Sequence, residues 1–85
     1  MFPRRYRLPG YRVPQVLGGG TIYRDTHLVI KILANQLTLG RLAVIVSARF
    51  LPLAVRRNRL KRQLLGLIDP QKIAPGFDVV VLVKK

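Results

Sequence analysis

Ala54-Val55-Arg56-Arg57-Asn58-Arg59-Leu60-Lys61-Arg62-Gln63-Leu64-Leu65 is the stretch from which the rest of the chain can be read. At about 3.6 residues per turn, Leu53, Leu60, Leu64 and Leu67 share one face of a helix over 54–68. Asn58 and Arg62 lie opposite that face, and Arg59 and Lys61 lie on its flanks. Such a helix can rest on a sheet through its leucines and raise a cationic ridge into solvent. Arginine dominates the ridge, and its planar fork suits phosphate oxygens better than a lysine point charge does. A plain solvated face is the bland reading. It fits a mixed-charge helix better than this one, where no acidic residue balances the cluster and adjacent like charges oppose helix formation. A basic leucine zipper is ruled out because no heptad repeat follows the basic run.

Strand-like segments flank this helix. Residues 41–48 are almost uniformly apolar, as expected of a strand covered on both faces. A loop with Pro52 joins them to the helix. Residues 26–34, rich in β-branched side chains, read as an earlier strand that includes His27, and 35–40 turn the chain between the two. Downstream, Asp69-Pro70 ends the helix, because a residue before proline avoids helical geometry. Ala74-Pro75-Gly76 reads as a turn, and 77–83 as a third long strand. Near the start, Pro3, Pro9, Gly10 and Pro14 make 2–14 irregular or extended. A short helix fits about 13–17, with Pro14 tolerated in its first turn. Gly18-Gly19-Gly20 stops it and is not a phosphate loop, since no Lys-Ser or Lys-Thr follows. The expected architecture is α+β, a small and mostly antiparallel sheet covered by helices in a two-layer sandwich. It forms a single domain over 1–85, whose basic arm, 1–12, is free to move.

Composition narrows the function. In 85 residues there are 16 Lys+Arg against 3 Asp+Glu, a formal net charge of +13. Such an excess repels itself and points to a polyanionic partner, most commonly nucleic acid. With 49% hydrophobic residues a core is possible. The absence of cysteine excludes a disulfide framework or thiolate metal site. The basic start lacks the apolar stretch of a signal peptide, and 42–46 is too short to span a bilayer, which takes about 20 helical residues. These features point to a cytoplasmic protein. Asp25, Asp69 and Asp78 are scattered, and His27 is the only histidine. Metal-dependent hydrolysis on several carboxylates, or acid–base work by paired histidines, is therefore not expected of this chain.

At the basic helix the sequence resembles the bacterial ribonuclease P protein component. That family's hallmark is Arg-Asn-Arg, an apolar residue and Lys-Arg, preceded by a small-apolar pair. The matching residues are Ala54-Val55, Arg57-Asn58-Arg59, Leu60 and Lys61-Arg62. Pro3-Arg4-Arg5-Tyr6-Arg7-Leu8 is similar to the family's basic start, Val44-Ile45-Val46-Ser47 to the strand before its basic loop, and Gly76-Phe77-Asp78-Val79-Val80-Val81 to its last strand. There are departures. Phe50-Leu51-Pro52 replaces the usual second basic residue and glycine. The N-terminal helix has Val13, Val16 and Leu17 where the family has Phe-x-x-Val-Phe. Leu65-Gly66 stands where an Arg-Glu pair is usual, and the sequence ends at Lys85 where relatives continue into a further helix.

The resemblance implies a fold shared by the ribonuclease P protein and a domain of a ribosomal protein. It implies an accessory subunit of an endoribonuclease whose RNA subunit cleaves precursor transfer RNA at its 5′ leader. The expected partners are ribonuclease P RNA and precursor transfer RNA, with no membrane and no small-molecule substrate, and Mg2+ is held mainly by RNA. RNA contacts are expected from Arg56, Arg57, Asn58, Arg59, Lys61, Arg62 and Arg49, and from Arg4, Arg5 and Arg7 in the arm. Val13, Leu17, Tyr11, Tyr23 and Ser47 are leader-cleft candidates. Each tyrosine can stack on a base, but packing at the edge of the core is the readier expectation for both, and His27 is expected to be an ordinary strand residue. Without a final helix, part of one sheet face is expected to lie uncovered, and the free protein to be stabilised by sulfate, phosphate or RNA. A ribosomal or other structural RNA-binding protein is the rival reading. A membrane-active cationic protein fits less well, because the helix carries a narrow leucine seam and the chain has no Trp.

Overall fold

The computed structural model describes residues 3–84. Two α-helices, α1 (Val13–Gly19) and α2 (Ala54–Leu67), accompany four strands, β1 (Thr21–Arg24), β2 (Leu28–Ala34), β3 (Arg41–Val46) and β4 (Phe77–Val83). The strands form one sheet in the order β1-β2-β4-β3. β1 pairs with β2 and β2 with β4 antiparallel, while β3 runs parallel to β4 and reaches it through α2. The α+β class and the mostly antiparallel, helix-covered sheet are as expected.

β3 shows why an apolar run is needed. Successive strand residues point to opposite faces. Leu42, Val44 and Val46 are buried in one cluster with Tyr6 and Val83, against which Leu60, Leu64, Leu65 and Ile68 of the α2 region pack. Ala43 and Ile45 face the other way and pack with Val16 of α1, Leu8 and Val80. The layering is therefore finer than a plain two-layer sandwich, because α1 and α2 take opposite faces. Between β2 and β4, Asn35 N–H donates to the Gly76 carbonyl and Gly76 N–H to that of Leu39. Gly76 has φ +81°, a conformation that favours glycine.

Four expectations change. The strand β1 is additional to those expected: it has four residues, all exposed, with no apolar alternation, and exists by pairing its backbone to β2. His27 is in the turn between β1 and β2 rather than in a strand; its N–H donates to Asp25 Oδ1 at 2.9 Å. The arm is anchored rather than loose over its described part. Tyr6 and Leu8 are buried, Leu8 N–H donates to the Leu42 carbonyl at 2.9 Å, and Arg7 bridges to Leu42. Two leucines of the expected seam are exposed, Leu53 by 59% and Leu67 by 84%. Leu53 is the extended N-cap, outside the helical turn. Leu67 falls to the side of the stripe made by Leu60, Leu64, Leu65 and Ile68.

On the α2 face, α2 packs against β3. At the far side of that face Tyr23 and Phe77 are exposed and Ile30 and Ile32 half-buried. Tyr23 and Ile32 contribute to a groove of about 430 Å3 with Phe77 and Ala74.

Candidate nucleic-acid interface

The helix α2 begins without a side-chain cap and without an acidic residue in its first turn. Arg56 and Arg57 instead sit near the positive end of the helix dipole, where cations are unfavourable and anions favourable. Arg56, Asn58, Arg59 and Arg62 are exposed, and Lys61 is half-buried on the flank. Both salt bridges found among the described residues involve Asp78, so no carboxylate pairs with these side chains. The ridge is a row of solvated cations held on a rigid helix.

Arg57 differs from its neighbours. It is half-buried, and its Nη1 donates to the carbonyls of Leu51 at 2.9 Å and Pro52 at 2.7 Å. It braces the loop before α2, and its remaining N–H groups are what it can offer to a ligand. Arg49 is exposed in that loop, with its N–H donating to Ser47 Oγ at 3.2 Å. Arg4, Arg5 and Arg7 are exposed on the arm, and the Arg5 guanidinium lies 5.2 Å from the Tyr6 ring centre. Tyr6 joins the same core cluster as Leu60 and Leu64. The fold thus brings arm, loop and ridge cations to the side of the sheet formed by β3.

The leader-cleft candidates do not stay together. Val13 and Leu17 are half-buried on the α1 face and pack around Val16, Leu8 and Val80. Tyr11 is 77% exposed just before α1. Tyr23 is 57% exposed, but it pairs with Ile30 across the strands and so lies on the α2 face. Neither tyrosine packs at the edge of the core, contrary to expectation. Ser47 follows β3, its N–H donating to the Val83 carbonyl.

A polar cluster on the α1 face is not foreshadowed by any sequence motif. Asp78 is fully buried at the start of β4. Arg41 Nε donates to its Oδ1 and Nη2 to its Oδ2, both at 2.9 Å. Arg12 Nε donates to Oδ2 at 2.8 Å and Asn35 Nδ2 to Oδ1 at 2.8 Å. Burial alone pushes the carboxyl up; the hydrogen bonds from Arg41, Asn35 and Arg12 outweigh it and hold Asp78 below the ordinary carboxylate range. Arg41 is raised in turn, first by its hydrogen bond to Asp78, against the opposing effect of burial. Arg12 also donates to the Ala34 carbonyl at 3.0 Å and to Gln15 Oε1, which fastens α1 to the end of β2. A lone charge in an apolar strand is the one signal the sequence offers, and the partners are distant along the chain.

Comparison with known proteins agrees with this geometry. The family model described as Ribonuclease P matches residues 2–85. The ribonuclease P protein component of Synechocystis sp. is 37% identical over 86 residues, covering 95% of this chain and 68% of that protein. The one from Pseudanabaena sp. is 38% identical over 72 residues, covering 81% and 62%. The chain thus spans about two thirds of the length of these relatives. Among solved structures, the RNase P protein from Thermotoga maritima superposes with a TM-score of 0.78 at 30% identity, covering 93% of this chain and 74% of that one. The Staphylococcus aureus RNase P protein shares the fold, with a TM-score of 0.78 at 21% identity over 93% and 74% of the two chains. A match that runs from residue 2 to the last residue, carried on the same sheet and helices, places this chain in the ribonuclease P protein family.

Proposed function

We propose that this chain is the protein subunit of a ribonuclease P ribonucleoprotein, acting in the cytoplasm on the 5′ leader of precursor transfer RNA. The observation that carries the reading is the α2 ridge. Arg56, Arg59 and Arg62 are exposed, unpaired with any carboxylate among the described residues, and set beside an uncapped helix start. Phosphate oxygens would relieve the mutual repulsion of the ridge and satisfy the first-turn N–H groups together. In this reading the ridge, with Asn58, Lys61, the free edge of Arg57 and the Arg49 loop, grips the RNA subunit. The arm cations Arg4, Arg5 and Arg7 extend that grip along β3. The α1 face, with Val13, Leu17, Tyr11 and Ser47 near it, receives the single-stranded leader; Tyr23, on the other face, is set aside from this cleft.

The chemistry belongs to the RNA subunit. Each aspartate is already engaged in holding the fold. Asp25 Oδ1 accepts from His27 N–H, Asp69 Oδ1 accepts from Gln71 N–H, and Asp78 is held by three side chains. These carboxylates do not converge on a shared metal site. Magnesium, which supplies charge neutralisation and an activated water for phosphodiester hydrolysis, is assigned to RNA phosphates. The protein binds and orients. Among the described residues no helix is long and apolar enough to cross a membrane.

The test is cleavage of precursor transfer RNA by the cognate RNA subunit at limiting magnesium, with and without the protein, beside an Arg59→Ala/Arg62→Ala variant. The parent should stimulate cleavage, and the variant should lose at least about tenfold of that effect, since each lost phosphate contact weakens binding. Equal, negligible effects of both proteins, with RNA binding retained, would favour a ribosomal or other structural RNA-binding role.

A further inference from the structure

From Ala48 to Arg56 every side chain but that of Leu51 is exposed. Phe50, Leu53 and Val55 are the large apolar members of this run, Phe50 by 39% and Val55 by 69%. The backbone beneath them is held firmly. Ser47 N–H donates to the Val83 carbonyl, and Leu51 N–H to that of Ser47, both at 2.9 Å. Arg49 N–H donates to Ser47 Oγ. Arg57 takes the carbonyls of Leu51 and Pro52, and the Leu51 side chain packs against the core on the α2 face. The turn over 48–50 is thus tied at both ends, with Phe50 leading out of it.

An exposed apolar patch with a polar rim marks an interaction site. The rim here is cationic. Arg49 precedes Phe50, Arg56 follows Val55, and Arg59 stands about one turn further along α2; none of them pairs with a carboxylate among the described residues. The cation–π contact found among the described residues is that of Arg5 with Tyr6, so no guanidinium covers the Phe50 ring. This charge selects the occupant. An apolar protein surface would suit Phe50 and Leu53 but not the arginines. A nucleic-acid duplex would suit the arginines but keeps its bases stacked out of reach. An anionic lipid surface meets both, yet it favours a broad apolar helix face, which a short turn does not offer. An unpaired nucleotide supplies an anionic phosphate and a base whose flat face stacks on an aromatic ring.

We propose that Phe50 stacks on an unpaired base of the RNA subunit, with the adjoining phosphates against Arg49 and Arg56. The proposal rests on the ribonuclease P reading above and deepens it. The α2 ridge grips backbone charge, which is present along the whole RNA and carries no sequence information. The Phe50 contact requires a base that stands out of the helical stack, so it fixes where on the RNA subunit the ridge sits. Leu53 and Val55, beside it along the chain, exclude water from the stacked pair. The contact belongs to the segment Phe50-Leu51-Pro52, where this chain departs from the family pattern, and it gives this chain an apolar anchor in a surface otherwise built of cations.

The experiment is the affinity of the full chain for the cognate ribonuclease P RNA across a salt series, with a thermal melt of each protein. The proteins compared are the parent, Phe50→Leu, Phe50→Tyr and Arg59→Ala. Phe50→Leu keeps an apolar side chain but loses the flat ring. It should weaken binding about tenfold, the loss of one stacked base, and leave the slope of log affinity against log salt unchanged. Phe50→Tyr should bind nearly as the parent does. Arg59→Ala should lower that slope by about 1, the loss of one phosphate contact. Both Phe50 variants should melt with the parent. The stacking contact is overturned if Phe50→Leu binds as tightly as the parent, if Phe50→Tyr loses as much as Phe50→Leu, or if affinity falls only in step with the melting temperature. It is overturned too if Phe50 governs binding to phosphatidylglycerol vesicles and not to RNA. In all these cases binding of ribonuclease P RNA by the parent leaves the family reading standing. A parent that does not bind that RNA overturns both.

Discussion

Arginine occurs in two contrasting settings. On α2, Arg56, Arg59 and Arg62 stand in solvent without a carboxylate partner among the described residues. On the opposite face of the sheet, Arg12 and Arg41 close over a fully buried aspartate. The second set joins β3, β4, the end of β2 and the start of α1, and so holds the fold. The first meets no carboxylate among the described residues and carries an unmet demand for anions. The side-chain chemistry is the same; a partner carboxylate and burial separate scaffold from interface.

The largest effect expected from this contrast is at Asp78. Asp78→Ala leaves two part-buried guanidiniums without their carboxylate and should cost about 3 kcal/mol or more of stability, read by denaturant unfolding. The pH dependence follows in sign. Asp78 has a depressed folded pKa, so its contribution is fully present above the unfolded value of about 3.9 and is lost as pH falls through the lower folded value. The parent should lose stability on acidification below about pH 4, and an Asp78→Asn variant should show a flatter acid limb. An Asp78→Ala protein as stable as the parent would erase the distinction between the two sets.

Arg57 sharpens the comparison because it belongs to both. Its bonds to the Leu51 and Pro52 carbonyls predict that Arg57→Ala costs about 1–2 kcal/mol. Arg59→Ala should stay within about 0.5 kcal/mol of the parent. Comparable losses of RNA affinity with unequal losses of stability would confirm that Arg57 divides its donors between loop and ligand.

An effect of the same order as the Arg57 loss is expected from anions. Sulfate at about ten times its Kd should stabilise the parent by about 1.4 kcal/mol. The gain should shrink in Arg59→Ala/Arg62→Ala and persist in Tyr11→Leu. Circular dichroism melts with and without sulfate decide it; equal gains in all three would mean that the ridge is not where the anion acts.

Much of the fold is legible in the residues alone. The apolar run within 41–46 locates a strand packed on both sides, buried on one and half-buried on the other. The Leu60–Leu64 spacing locates the seam of α2, and Asp69-Pro70 its end. β1 is not legible because exposed Thr21, Tyr23 and Arg24 carry no periodic signal; the strand exists by hydrogen bonding to a neighbour. The burial of Tyr6 and Leu8 is hidden by the surrounding arginines and prolines, which read as a loose arm until β3 supplies a backbone to pair with. Tyr23 and Tyr11 look alike as lone aromatics near the start, yet the pleat of β1 puts Tyr23 on the opposite face from α1.

The sequence by itself determined the charge, the cationic ridge and the order of the main elements, because each depends on local spacing and composition. Only the tertiary structure decided which arginines are free and which are committed. Arg12, Arg41, Asn35 and Asp78 become neighbours through strand order and register, a non-local outcome that no window of sequence contains. Until Asp78 is placed between them, Arg12 and Arg41 are indistinguishable from Arg59 and Arg62.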